Sequence, residues 1–329
     1  MERMNRFDRF RLFSWQYCDK RILRIGNERL KRAMVVLASP VTAAKHFQTL
    51  RGVLGADDVL PYVEVFLTSR CSLRCAYCDS LMPSYQKLYD VPPDVLLAEL
   101  KGFTENVDHI RLMRLLGGEP FLYPHLAEAV EYLAACGNIE NIAIVTNGTI
   151  VPKDERLLTA LQNPRVFIHI SNYGPLSSKV SELNRLGRER GIRVSLSPQF
   201  DWYEPDTDYG DKRLDEDALA DKFKNCNETC RLIRDGKLFF CRHSFMVEHM
   251  PDAVHDPEDF VDLMHTDGET HARIRKLYFE KKYLTACRYC PGSRMHMELS
   301  LPGGQQLEKG MPQPMPRPKA LDEIQDMQI

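Results

Sequence analysis

The stretch VEVFLTSRCSLRCAYCDS, Val63 to Ser80, joins a short apolar run to three closely spaced cysteines, and the rest of the chain can be read outward from it. Val63 to Thr68 has the β-branched and aromatic composition of a buried strand. Directly behind it stand Cys71, Cys75 and Cys78, a C-x3-C-x2-C spacing that lets three thiolates converge from one loop. The same rhythm then repeats, with strand candidates at Ile110 to Leu116, Ile142 to Thr146, Val166 to Ser171 and Ile192 to Ser197. Helical patterns fill the intervals at Pro93 to Asn106, Pro124 to Cys136 and Ser177 to Arg190. Such alternation predicts an α/β fold with a parallel sheet and helical crossovers. Each strand runs into a polar, glycine-rich or cysteine-rich turn, and chemistry in parallel α/β sheets gathers at those carboxyl ends.

The chain has 329 residues, 43% hydrophobic and 27% charged, with a formal charge of -2. That suffices for one full-sized catalytic domain plus additions. The longest purely apolar run, Ala33 to Ala38, is far short of the ~20 residues a membrane span needs. The opening MERMNRFDRF has no signal-type apolar stretch. A cytoplasmic protein with no membrane partner is expected. Its ten cysteines then read as metal ligands or working thiols, since a reducing compartment does not keep disulfides. Phosphate-cradling GxxxxGK[ST], GxGxxG and the Gly-x-Ser-x-Gly elbow are all missing, which argues against hydride transfer and hydrolysis.

Residues 1 to 58 read as a basic helical extension; Phe7, Phe10, Phe13, Tyr17 and Leu23 would bury one side of its helices. An anionic substrate, a protein partner or nucleic acid are the other uses of this positive charge, and no motif supports nucleic acid. The acidic segment 201–217 looks like a boundary or lid, Trp202 and Tyr203 could wall a pocket, and the histidines after residue 242 form no metalloprotease motif. From Ser300 onward Pro and Gly dominate, so an extended or poorly ordered tail is expected.

Three thiolates do not satisfy the four irons of a [4Fe-4S] cube, so one iron would stay open. An open position is what separates a catalytic metal site from a closed one. A zinc knuckle would want a fourth Cys or His close by, and none lies between Asp79 and Lys101. The C-x3-C-x-aromatic-C pattern, with Tyr77 before the last cysteine, resembles the signature of the radical S-adenosylmethionine (SAM) enzymes. LLGGEP at the end of the second strand resembles that superfamily's GGEP element. The resemblance covers Val63 to Gln199 and implies a partial (β/α)6 barrel. It assigns Cys71, Cys75 and Cys78 to the cluster, Tyr77 to the adenine neighbourhood, and Gly117, Gly118, Glu119 and Pro120 to the amino group of SAM. Glycines at 117 and 118 would let backbone approach a ligand without Cβ interference, and Glu119 would offer a carboxylate to an ammonium. Ser171 and Asn172 fall where the ribose hydroxyls are usually met, and Lys179 could neutralise the methionine carboxylate. Asn147 and Gly148 either line the same mouth or simply form a turn. The implied chemistry is reductive cleavage of SAM to a 5'-deoxyadenosyl radical that abstracts hydrogen from a C–H bond. An external electron donor such as flavodoxin or ferredoxin is implied with it.

A second group, Cys226, Cys230, Cys241, Cys287 and Cys290, resembles the SPASM/Twitch extension in its shorter Twitch form, which holds one auxiliary [4Fe-4S] cluster with four cysteines. RLIRDGKLFFC reads as a hairpin turning at Asp235-Gly236. Cys226 is the preferred ligand and Cys230 the spare, though the two could be reversed; closed four-cysteine zinc is the competing account. A spare thiol could return hydrogen to a carbon radical, as an epimerase requires. Cys136 and Cys18 read as small buried hydrophobes. The division expected is 1–58 extension, 59–210 radical SAM core, 211–298 Twitch-like region and 299–329 tail. A small polar, carbohydrate-like molecule is the favoured substrate, with epimerisation or alcohol oxidation as the outcome. Maturation of a ribosomally made peptide and a non-catalytic Fe–S or zinc scaffold or electron carrier are the rivals.

Overall fold

The computed structural model describes residues 10, 22, 25, 27–45, 59–199, 201–203, 208–226, 231–292 and 299–314. Helix α1 spans Glu28–Lys45, with Asn27 Oδ1 accepting the amide hydrogens of Arg29 and Leu30 at its start. Of the aromatic residues expected to bury one side of this extension, Phe7, Phe13 and Tyr17 lie outside the described residues, as does Leu23.

The five strands read from the sequence form one parallel run: β2 (Val63–Phe66), β3 (His109–Leu116), β4 (Ile139–Thr146), β5 (Val166–Ile170) and β6 (Arg193–Leu196). A short β1 (Val59–Leu60) precedes β2 and pairs with the start of β3, so the two occupy one lane interrupted at Pro61, which has no amide hydrogen to give the ladder. The crossovers are α2 (Pro93–Thr104), α3 (Leu126–Ala135), α4 (Glu155–Ala160) and α5 (Val180–Arg190). This is the α/β fold expected, an unclosed barrel with its helices on the outside.

Register and alternation sort the side chains. Val63, Val65, Met113, Leu115, Ile142, Ile144, Ile168 and Ile170 are fully buried in one hydrophobic cluster with Leu100 and Phe103 of α2, Val130 and Leu133 of α3 and Leu183 of α5. Truncating one of these, as in Leu100→Ala, costs about 2–5 kcal/mol in lost transfer energy and cavity. The opposite face of the same strands carries Glu64, Arg114 and His169, all half-buried.

The predicted hairpin forms as β8 (Leu232–Arg234) and β9 (Lys237–Phe239), turning through Asp235 at φ 52° and Gly236 at φ 76°. β8 lies parallel beside β2, with Glu64 opposite Leu232 and Val65 opposite Ile233, and β10 (Phe260–Asp262) adds to β9. The sheet order is therefore β10-β9-β8-β2-β3-β4-β5-β6. The remaining helices are α6 (Glu216–Lys224), α7 (Arg242–Glu248) and α8 (Thr270–Arg275). β7 (Asp201–Tyr203) pairs not with the main sheet but with β11 (Leu299–Pro302). Of the extended or poorly ordered tail expected, residues 299–314 take the extended form, a strand that then lies along the cysteine loop; residues 315–329 are outside the described set. Pro and Gly there prevent helix formation, and long-range hydrogen bonds replace local ones.

Candidate active site

The loop after β2 and the turn after β3 are stitched together. Gly118 N donates to Thr68 O and Glu119 N to Arg70 O, each at 2.7 Å. A Cβ on Gly117, at φ 151°, would stand 2.4 Å from Thr68 O, and one on Gly118 would stand 2.0 Å from Arg70 O. The glycines therefore let the GGEP turn close on the cysteine loop; the space freed is taken by protein backbone, not by a ligand. Pro120, buried, opens a short 3-10 turn.

Glu119 has no solvent exposure, and its carboxylate accepts from Asn147 N at 2.9 Å, Thr146 Oγ1 at 3.0 Å and Phe121 N at 3.3 Å. It ties the turn after β3 to the turn after β4. Burial pushes its pKa up to about 7, against those hydrogen bonds, which favour the ionised form. Asn147 is the hub of the site: Nδ2 donates to Ser72 Oγ at 3.0 Å and reaches Cys71 Sγ at 3.7 Å, while Oδ1 accepts from Thr149 N at 3.0 Å. Asn147 makes the turn expected of it and also faces the cysteine loop.

The three cysteines are half-buried or buried, and their sulfurs are met by N–H groups: Leu73 N donates to Cys71 Sγ at 3.5 Å and Gln306 Nε2 to Cys75 Sγ at 3.3 Å. Donors aimed at sulfur suit thiolates, so the residues fit the ligand set of a cluster. Burial, the largest cause, pushes the thiol pKa of Cys75 up to about 11 and of Cys78 to about 12. A single tetrahedral ion draws its donors within about 2.3 Å of one point. Among the described residues no three His, Cys, Asp or Glu are gathered that way.

The other expected residues have mainly local contacts. Tyr77 is half-buried against the core. Ser171 follows β5, and Asn172 forms a local turn through Oδ1 to Gly174 N at 3.0 Å. Lys179 heads α5 with its ammonium 2.7 Å from Glu182 Oε1, an exposed pair. Tyr173 was not singled out in the sequence. Burial pushes its phenol up, and the nearby Cys75, Cys78 and Cys71 act in the same sense, while the Ser171 side chain bonds to it in the opposing sense. Trp202 meets the Tyr173 ring edge-on at 5.4 Å.

Cys226, Cys241, Cys287 and Cys290 line one pocket with Phe240 and His243. Cys226 thus joins the pair expected for it, and Cys230 lies outside the described residues. Lys222 of α6 donates to Cys287 O at 2.9 Å and Cys290 O at 2.6 Å, and buried Asp259 accepts Ala286 N at 2.9 Å. Cys241 caps α7, its sulfur accepting Ser244 N at 3.4 Å. Burial pushes Cys287 up to about 12 and raises Cys290. Arg242, beside Cys241, pairs at 2.8 Å with Asp79, beside Cys78, and so spans the two cysteine groups.

Residues 65–193 match the model of the radical SAM superfamily. This chain carries a radical SAM domain. Among curated proteins, the GTP 3',8-cyclase of Chlorobaculum tepidum is 36% identical over 102 residues, covering 30% of this chain and 28% of its own. That of Microcystis aeruginosa is 31% identical over 153 residues, covering 43% and 45%. The chain spans less than half the length of these relatives. Solved structures resembling it include anSMEcpe with bound AdoMet and Kp18Cys peptide (TM-score 0.44, 14% identity, 74% of this chain and 93% of that one). BtrN in complex with AdoMet and 2-DOIA gives a TM-score of 0.39 at 15% identity, over 75% and 96%. Among the described residues no helix is long and apolar enough to cross a membrane.

Proposed function

We propose that the radical SAM chemistry of this chain is directed at a carbohydrate-like or other small polar molecule, and ends in epimerisation or alcohol oxidation. One observation carries the substrate class: the sheet face turned away from the helices presents Glu64, Arg114 and His169, with Arg114 Nη1 3.5 Å from Glu64 Oε1 and its guanidinium 5.3 Å from the centre of the Tyr62 ring. Such a face offers donors and acceptors to hydroxyl and amino groups and little to an acyl chain. Burial and the Arg114 charge lower the pKa of His169, which keeps its imidazole neutral and able both to donate and to accept.

With cluster and SAM bound, the site supplies a 5'-deoxyadenosyl radical able to remove hydrogen from an unactivated C–H bond. Cys71, Cys75 and Cys78 hold that cluster, and the turn Gly117–Pro120 with Ser171, Asn172 and Lys179 receives SAM. Cys226, Cys241, Cys287 and Cys290 hold a second [4Fe-4S] cluster. Cys230 is the thiol that returns hydrogen in an inversion: its S–H bond breaks as the new C–H bond forms, and the thiyl takes one electron and one proton from the external donor and solvent.

The test is anaerobic reconstitution, reduction with dithionite, and chromatography of 5'-deoxyadenosine with panels of aminosugars, cyclitols and peptides. Stimulation by a polyol and not by peptides supports the reading; the reverse overturns it. In deuterium oxide, deuterium at an inverted carbon marks epimerisation, and loss of two mass units marks oxidation. A nucleotide substrate is the second reading, favoured by the GTP 3',8-cyclases among the relatives, and GTP belongs in the same panel.

A further inference from the structure

The segment that closes the described chain is bound most closely to the loop that holds the cluster ligands. Gln306 forms an antiparallel bridge with Cys75, framed by Ala76 N donating to Gln305 O and Leu307 N donating to Arg74 O, both at 2.7 Å. The Gln306 side chain repeats the contact. Its Oε1 accepts Arg74 N at 2.8 Å, and its Nε2 donates to Gly304 O at 2.6 Å and to Cys75 Sγ at 3.3 Å. The orientation of this amide is fixed by its partners: flipped, it would set oxygen against the Gly304 carbonyl and nitrogen against the Arg74 amide. Further on, buried Gln313 donates through Nε2 to Ala76 O at 3.2 Å and bonds to Ser84 Oγ.

The segment also reaches Tyr173. A Cβ on Gly304 would stand 3.0 Å from Cβ and Cγ of Tyr173, so the strap rests directly on that side chain. Upstream, β11 pairs with β7, whose Trp202 meets the same tyrosine edge-on. The backbone amides and carbonyls at positions 74 to 76 thus find partners more than two hundred residues away, and a loop lacking them would leave buried polar groups unsatisfied.

We propose that residues 303–314 are a working part of the SAM-cluster site, in which Gln306 is a positioning residue that fixes Cys75 and, by donating its Nε2–H to that sulfur, makes the cluster easier to reduce. The proposal rests on the assignment of Cys71, Cys75 and Cys78 to a [4Fe-4S] cluster. A reduced cluster carries one more negative charge, spread over its sulfurs and thiolate ligands. A donor on one ligand therefore stabilises the reduced form more than the oxidised one.

Two variants separate holding from tuning. Gln306→Glu keeps the acceptor for Arg74 N, removes the donor to sulfur and sets a carboxylate oxygen against Gly304 O; Gln306→Met removes all three contacts without adding charge. The first readout is amide hydrogen exchange of residues 71–78 in protein without cluster: protection is lost in Gln306→Met and falls less in Gln306→Glu, which keeps the Arg74 bond. The second is a redox titration followed by electron paramagnetic resonance, using the signal that changes on addition of SAM to isolate this cluster. Both variants should give a more negative midpoint than wild type, equivalent to a roughly threefold to tenfold fall in the reduction equilibrium constant. Equal midpoints in all three proteins, with a SAM-responsive signal in each, overturn the proposal while leaving the cluster assignment intact. A wild-type protein with no SAM-responsive signal overturns the assignment and the proposal with it.

Discussion

The two cysteine groups are built in opposite ways. Cys71, Cys75 and Cys78 sit within eight residues on one loop, and that loop is held by hydrogen bonds to the turn after β3, to Asn147 and to the C-terminal strap. Cys226, Cys241, Cys287 and Cys290 come from the end of α6, the cap of α7 and a separate loop, drawn together chiefly by Lys222 and Asp259. The first is a preformed cradle; the second is a meeting of distant segments. Metal binding stabilises folding most where the site is least organised without it, so the second group should depend more on its metal for local order.

Substituting ligands tests this contrast most severely. Cys75→Ala should reduce 5'-deoxyadenosine release to background, whereas Cys287→Ala should leave SAM cleavage detectable and abolish only product formation. Iron should fall from about eight to about four per chain in each. Loss of SAM cleavage in Cys287→Ala would merge the two sites into one function. Metal removal comes next. In chelated protein, amide exchange should rise sharply at 284–292 and 223–226 and change little at 65–71; uniform exchange in both regions would remove the distinction.

The seam between the regions supplies a smaller effect. Glu99 of α2 is fully buried under the β8–β9 turn, accepts Gly236 N at 2.8 Å, and has its pKa raised by burial to about 8. A carboxyl that keeps its proton longer when folded than when unfolded binds more protons in the native state between about pH 4.5 and 8. Stability should therefore fall as pH rises through that window, by on the order of 4 kcal/mol at pH 8 from this group. Glu99→Gln should flatten the dependence in chemical denaturation followed at pH 5 and pH 8. Lys222→Met should cost less, about 1–2 kcal/mol, with the loss confined to exchange near Cys287 and Cys290. An equal loosening around Cys71 would show that the lysine supports the whole molecule.

Much of the frame was legible because it is local. The five parallel strands and the hairpin at Asp235-Gly236 announce themselves through composition within a few residues, and so do the triplet and the Cys287–Cys290 pair. What escaped was the partner at long range. Gln306, Gln313 and Lys222 are ordinary polar letters whose roles depend on carbonyls and amides elsewhere in the chain, and Tyr173 has no motif around it. The glycines of the GGEP turn were read for the right property and the wrong neighbour, since the sequence shows that space is needed but not what fills it. The placing of β8 beside β2 also escaped, because strand order beyond the crossovers is decided by which edge remains open.

That placing has a practical consequence. A gene fragment stopped near residue 210 would retain every letter of the radical SAM signature yet leave the β2 edge bare of the strand that covers it. Exposed strand edges template intermolecular pairing. Attempts to isolate the catalytic half by truncation should yield sticky, self-associating material instead of a minimal enzyme, and swapping the C-terminal third between relatives would require carrying this edge strand along.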